Sequence, residues 1–134
     1  MSDSEQIKME PFATQIQFTA TEVLPFIQWR TYMINFLENL AQQCENLFTP
    51  FIGHIKMIAL FGDNRYLRVN VVRAGFDADI EGNPPEFFRE MKVTLNILVY
   101  GITKDAIQGL VSDAVAQLNS RFSGTVCETV FKVL

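Results

Sequence analysis

The amino-acid sequence predicts an α+β domain, a two-layer sandwich in which two helices pack on one face of a mostly antiparallel sheet of about six strands. Three observations support this fold class: alternating apolar residues between His54 and Glu81, a long amphipathic segment before them, and a shorter amphipathic segment between two further runs. The predicted order is strand, long helix, three strands, strand, helix, strand.

The beginning of the chain predicts a tail followed by a strand. Residues 1–12 have no periodicity, so we expect a flexible tail and a single domain over residues 13–134. From Ala13 to Ala20 polar and apolar residues alternate, which predicts a strand with one buried face. We expect Thr21 to cap the long helix, with Pro25 in its first turn, and Thr49-Pro50 to end it.

Arg30 interrupts the apolar side of the long helix. At about 100° per residue, it projects into the middle of an apolar arc that covers about half the circumference. Three explanations stay open: the side chain reaches water along its methylene stem, it forms an internal salt bridge, or it anchors the carboxylate or phosphate of a ligand. The opposite helix face is rich in Asn and Gln, which suits either solvent or a contact between subunits.

The turn Asp63-Asn64 predicts the first hairpin, because asparagine tolerates the positive φ of a two-residue loop. Counting outward from this turn sets Leu60 opposite Leu67 and Ile58 opposite Val69, on the face that the helices should cover. A shift of one residue would move each apolar set to the other face, so the register decides which side chains are buried.

The face of the sheet away from the helices, the predicted outer face, is the main functional candidate. A second turn at Ala74-Gly75 sets Arg68 opposite Glu81, so that opposite charges meet across two strands. Solvation alone would explain such a face, but aromatic, methionine and arginine side chains are also enriched in protein interfaces. The residues expected on this face are Met57, Phe61, Tyr66, Arg68, Asn70, Asp77, Asp79, Glu81, Lys92, Thr94, Asn96 and Tyr100.

The last third of the chain predicts a strand, a helix and a strand. Residues 91–99 alternate cleanly, Thr103 caps the second helix with Asp105 in its first turn, and residues 126–134 form the final strand. That strand has apolar residues at both parities, as in an inner strand or one that meets another subunit. Part of this connectivity resembles that of ferredoxin-like proteins, but extra strands stand between the two helices, and no family is assigned.

Composition limits the possible functions. A formal charge of −4 and a pI near 4.9 argue against nucleic-acid binding through overall charge. The apolar runs are too short to cross a membrane and the N-terminus does not resemble a signal peptide, so we expect a soluble, cytoplasmic protein. The two cysteines form neither a disulfide framework nor a zinc pattern.

No reaction motif is present. His54, the only histidine, lies in no catalytic pattern, and the chain contains no phosphate loop or dinucleotide fingerprint. Asp77, Asp79 and Glu81 share a strand face, but alternate residues lie about 6.6 Å apart and do not converge on a metal ion. No catalytic residue, metal or cofactor is therefore assigned.

The sequence thus predicts a non-catalytic assembly or protein-binding module that associates with a second copy, or with another protein, through the outer sheet face or the long helix. A small anionic ligand near Arg30 is the alternative, and an enzyme with dispersed catalytic residues is a further one. We expect no nucleic acid and no membrane as partners. The candidate binding residues are Arg30, Tyr66, Arg68, Asn70 and Tyr100.

Overall fold

The computed structural model describes residues 9–47, 52–71, 78–122 and 126–133, with side chains described over 11–46, 53–71, 78–99 and 101–122. The α+β class with an antiparallel sheet and two helices is confirmed. The elements in chain order are β1 (Met9–Pro25), α1 (Phe26–Leu47), β2 (Ile52–Gly62), β3 (Arg65–Val71), β4 (Asp79–Gly82), β5 (Phe87–Tyr100), α2 (Lys104–Arg121) and β6 (Val126–Val133).

The six strands form one sheet in the order β4-β3-β2-β5-β1-β6, with antiparallel neighbours throughout. Because β1 and β2 are both antiparallel to β5, they are parallel to each other, and α1 connects them across β5. This is a split β-α-β unit, extended at one edge by β3 and β4.

One face of the sheet and both helices share a single hydrophobic core. The buried side chains of α1 include Trp29, whose indole N–H donates to the carbonyl oxygen of Phe88 at 2.8 Å and whose ring stacks on that of Phe88 at 5.0 Å. Because the indole nitrogen finds an acceptor, this large side chain is buried without an unsatisfied donor. The sheet contributes alternate residues of each long strand, for example Ile16, Met57, Val69 and Leu95.

The boundary between β1 and α1 differs from the prediction. The strand starts at Met9, inside the segment expected to be a tail, and continues to Pro25, so α1 begins at Phe26 rather than after Thr21. Beyond an irregularity after Thr19, pairing with β5 resumes at Leu24 and Pro25, and the Phe26 amide donates to Glu86 at 2.8 Å. Pairing with β5 therefore outweighs the local capping signal at Thr21.

The register between β2 and β3 is also a correction. The turn residues Asp63 and Asn64 have positive φ as expected, but Gly62 has a positive φ as well and the register shifts between Leu60 and Gly62. Such a bulge adds one residue to one strand and reverses the faces of the residues before it. Met57 therefore pairs with Val69 and is buried, whereas the prediction had paired Ile58 with Val69.

The remaining strand pairings and the second helix agree with the sequence analysis. Arg68 pairs with Glu81 and Val69 with Ile80, and the apolar residues of β5 are buried as a set. Thr103 caps α2, its hydroxyl accepting from the Ala106 amide at 3.2 Å. The predicted turn at Ala74-Gly75 lies outside the described residues.

The two edges of the sheet are β4 and β6. β4 has four residues and ends at Gly82, after which Asn83 bonds to the backbone of the β2–β3 hairpin: its amide donates to Tyr66 O at 2.9 Å and its side-chain oxygen accepts from Tyr66 N at 3.1 Å. Among the described residues β6 pairs only with β1, so it is an edge strand and not an inner one. The other explanation for its apolar residues, a contact with another subunit, stays a prediction.

Candidate functional site

The candidate site is the face of the sheet opposite the core, which we call the outer face. Register and burial assign to it the alternate residues that do not enter the core, and those with described side chains are half-buried or exposed. Its central described members are Gln15, Gln17, Lys56, Ile58, Leu60, Tyr66, Arg68, Asn70, Asp79, Glu81, Glu90, Lys92, Thr94, Asn96 and Leu98.

Three of the five predicted binding residues lie together on β3. Tyr66, Arg68 and Asn70 are consecutive outer positions of that strand, each opposed by β2, and Arg68 and Asn70 are opposed by β4 as well. Arg68 forms a salt bridge with Glu81, and its guanidinium carbon lies 5.8 Å from the centre of the Tyr66 ring. About half of each charged side chain is exposed, so this ion pair adds at most about 1 kcal/mol and mainly orients the guanidinium.

Asn70 has an unsatisfied polar atom on this face. Its side-chain oxygen is buried and accepts no hydrogen bond from the described residues, while its strand neighbours are Lys56 and Asp79. Leaving a buried acceptor unpaired typically costs about 1–3 kcal/mol. The amide therefore does not contribute to stability through that oxygen.

The outer face also contains an apolar group that sequence reasoning missed. Ile58 and Leu98 are half-buried there, and Leu60 is 75% exposed opposite Tyr66. The bulge at the end of β2 sets Ile58 and Leu60 on this face in place of Met57, which is buried in the core, and Phe61, which packs against the core. The available signal was Gly62, directly before the turn residues, since glycine is the usual residue at such a bulge.

Arg30 lies away from this face. It is an exposed residue of α1, on the core side of the sheet, and does not enter the apolar arc as predicted. The arc is rotated relative to the prediction, because Tyr32 is buried (3% exposed) while Ile27 is 70% exposed. An exposed guanidinium near a helix start agrees with the explanation in which the side chain reaches water.

The other predicted residues do not add a second site. The Tyr100 side chain and Asp77 lie outside the described parts of the chain, and His54 is half-buried at an outer position opposite Leu98. Within the described residues, no three His, Cys, Asp or Glu side chains form a group that could hold a metal ion. In the same residues, neither helix is both long and apolar enough to cross a membrane.

Two openings lie near the helices. One, of about 340 Å³, lies between α1 and α2 and is crossed by a hydrogen bond of 2.7 Å from the Asn39 amide to the Gln117 side-chain oxygen. The other, of about 610 Å³, is bordered by Phe26, Arg65 and Pro84. Arg30 borders neither of them.

The amide-rich face of α1 is largely self-satisfied. Gln43 donates to Asn39 at 3.1 Å, Gln42 donates to Asn46 at 3.0 Å, and Asn39 bonds across to α2. Part of this face thus forms the contact between the two helices of the same chain.

Comparison with known proteins leaves the function to be inferred from this surface. No protein-family model, curated protein or solved structure matches the chain.

Proposed function

We propose that this protein is a non-catalytic assembly module that binds protein through the outer face, most simply a second copy of itself. In this proposal α1 and α2 form one layer and the sheet forms the other, so that no described element covers the outer face. The observation that supports it best is the apolar group Ile58, Leu60 and Leu98, set among charged side chains on an uncovered sheet. Mixed apolar, aromatic and arginine surfaces of this type are characteristic of protein interfaces.

The size of the outer face suits such a contact. Five spacings of about 4.8 Å make the sheet about 24 Å wide, and the seven residues of β3 extend about 24 Å. The flat projection is therefore roughly 600 Å², and the relief of the side chains increases the accessible area. A standard interface buries about 800 Å² on each partner, so two such faces could form a dimer of ordinary size.

The charges of the outer face favour a protein partner over nucleic acid. Lys56, Arg68 and Lys92 are balanced by Asp79, Glu81 and Glu90. Nucleic acid binding requires a concentrated positive field, which this balance does not provide. Because its described residues carry equal numbers of both charges, the face can instead complement a second copy of itself in an isologous contact.

The test compares two isoleucine substitutions. Ile58→Glu introduces a charge at the centre of the outer face, beside Arg68, whereas Ile27→Glu introduces the same charge at an exposed site in the first turn of α1, where an acidic residue suits the helix dipole. Sedimentation velocity over a range of concentrations measures the association of each variant, and circular dichroism verifies its fold.

We expect the unmodified chain and Ile27→Glu to associate. The dissociation constant of Ile58→Glu should be about ten times higher or more, because its carboxylate must lose water at the interface while the neighbouring Arg68 is already paired with Glu81. A chain that stays monomeric up to about 1 mM would refute self-association. Equal weakening by both substitutions would refute the outer face as the contact.

A further inference from the structure

The two edges of the sheet differ in their ability to pair with another strand. The β4 edge is short, its two carboxylate residues Asp79 and Glu81 would meet like charges in a second copy, and Pro84 and Pro85 follow it. Short length, charge and proline are the features by which proteins protect a sheet edge. The β4 edge is therefore closed to further strands.

The β6 edge lacks most of this protection. It contains eight residues without proline, among them Val126, Val130, Phe131 and Val133, which favour strands. In an antiparallel sheet, alternate residues direct their N–H and C=O groups to opposite sides, so about half of these residues present backbone groups away from β1. Within the described part of the chain, no strand pairs with that side.

The sequence of β6 is complementary to itself when reversed. In an antiparallel pairing of two copies centred on Val130, the numbers of two opposed residues add up to 260. Glu128 is then opposite Lys132 of the second copy, and Lys132 is opposite its Glu128. Opposite charges at directly opposed positions stabilise an antiparallel pair. Centring the pairing on Glu128 or on Lys132 would instead set like charges against each other.

We propose that a second copy of this chain pairs with the β6 edge in this register, which joins the two sheets into one continuous sheet. The pairing keeps equal parities together, and β6 residues 128 and 132 are paired with Thr19 and Gln15 of β1, at outer positions. The outer faces of both copies therefore lie on the same side of the joined sheet. The β6 pairing is independent of the outer-face contact, because the twofold axis of the pairing is perpendicular to the sheet and the two contacts use different residues.

The test is a charge exchange in the Ile58→Glu background, which removes the proposed outer-face contact while leaving the β6 edge intact. Glu128→Lys sets like charges opposite each other twice in the symmetric dimer, and so does Lys132→Glu. The double exchange restores both attractive pairs with their signs reversed. Glu38→Lys, on the exposed surface of α1, is the matched control for the change in net charge that Glu128→Lys makes.

We expect sedimentation velocity at low salt to give dissociation constants about tenfold higher for each single substitution than for the parent, and the double exchange to recover the parent value within about threefold. Glu38→Lys should leave the constant unchanged. In hydrogen exchange, amides of β6 should become more protected as concentration rises. The β6 pairing would be overturned by an Ile58→Glu parent that is monomeric, or by a double exchange that associates as weakly as the single substitutions. Neither outcome affects the outer-face proposal, which the Ile58 and Ile27 variants test separately.

Discussion

Substituting alanine for Gly82 tests how tightly the end of β4 is packed against β3. Gly82 has a φ of +134°, and a Cβ atom at this position would overlap the carbonyl oxygen of Tyr66 and lie 3.1 Å from the Leu67 Cα. Both are backbone atoms of β3, so no side-chain rotation relieves the overlap. The same Tyr66 oxygen accepts the hydrogen bond from the Asn83 amide at 2.9 Å, and this bond must lengthen if the two strands separate.

Two costs combine in Gly82→Ala. A left-handed or similarly positive φ costs an alanine about 1–2 kcal/mol, and the shift that relieves the overlap weakens one or two hydrogen bonds worth about 1 kcal/mol each. We expect the free energy of unfolding to fall by about 2–4 kcal/mol. Gly101 separates these costs, because it has a φ of +78° with no heavy atom within 4 Å of the added Cβ, so that Gly101→Ala should lose only the first.

Gly109 provides a control of opposite sign. It is an exposed residue inside α2 with open space around the added Cβ, and alanine there should stabilise the helix by about 0.5–1 kcal/mol. Urea denaturation monitored by the fluorescence of Trp29 measures all three variants. If Gly82→Ala were no less stable than Gly101→Ala, the close packing of β4 on the β3 backbone would be refuted.

Three further predictions concern single side chains. Thr103→Ala should destabilise the fold by about 1 kcal/mol in urea denaturation, because the Ala106 amide loses its acceptor, whereas Thr31→Ala, within the exposed part of α1, should not destabilise it. Burial raises the pKa of the Cys44 thiol from 9.0 to about 11. In a Cys127→Ser variant, iodoacetamide at pH 8 should therefore modify Cys44 only as fast as the fold opens. The stability due to the protonated thiol is present below pH 9 and is lost as the pH rises toward about 11. Glu81→Gln should cost less than about 1 kcal/mol, and added salt should reduce the difference further, since the bridge to Arg68 is half-exposed.

The sequence predicted those elements in which only one parity or one stripe is apolar. In β3, Leu67, Val69 and Val71 alternate with polar or amphipathic residues, so only one face could enter the core, and its burial is as expected. α2 likewise has a single apolar stripe and a capping threonine. In such segments the hydrophobic pattern is sufficient because the alternative arrangement would bury polar groups.

The errors occur where two arrangements bury similar amounts of apolar surface. β2 has apolar residues at both parities, Met57 and Ala59 on one and Ile58 and Leu60 on the other, so its own sequence permits either face. The choice is made by one additional residue at Gly62, which depends on how the hairpin fits the neighbouring strands. In α1 the positions of Ile27 and Ile34 widened the apparent apolar arc, whereas packing selected Tyr32, and this moved Arg30 to the rim.

The same ambiguity in β2 allows a direct test of the outer face. Ala59 and Leu60 are consecutive, but Ala59 is fully buried against the core and Leu60 is 75% exposed. Ala59→Lys must bury a charge and overfill a packed site, so it should cost more than about 4 kcal/mol or prevent folding. Leu60→Lys adds its charge in solvent and should change the free energy of unfolding of the monomer by less than about 1 kcal/mol. The hairpin register without the bulge requires Leu60→Lys to be the more destabilising substitution, because it sets Leu60 opposite Leu67 in the core. Thermal denaturation of the two variants therefore distinguishes the registers, and a stable Ala59→Lys beside an unfolded Leu60→Lys would remove Ile58 and Leu60 from the outer face, and with them the apolar centre of the proposed interface.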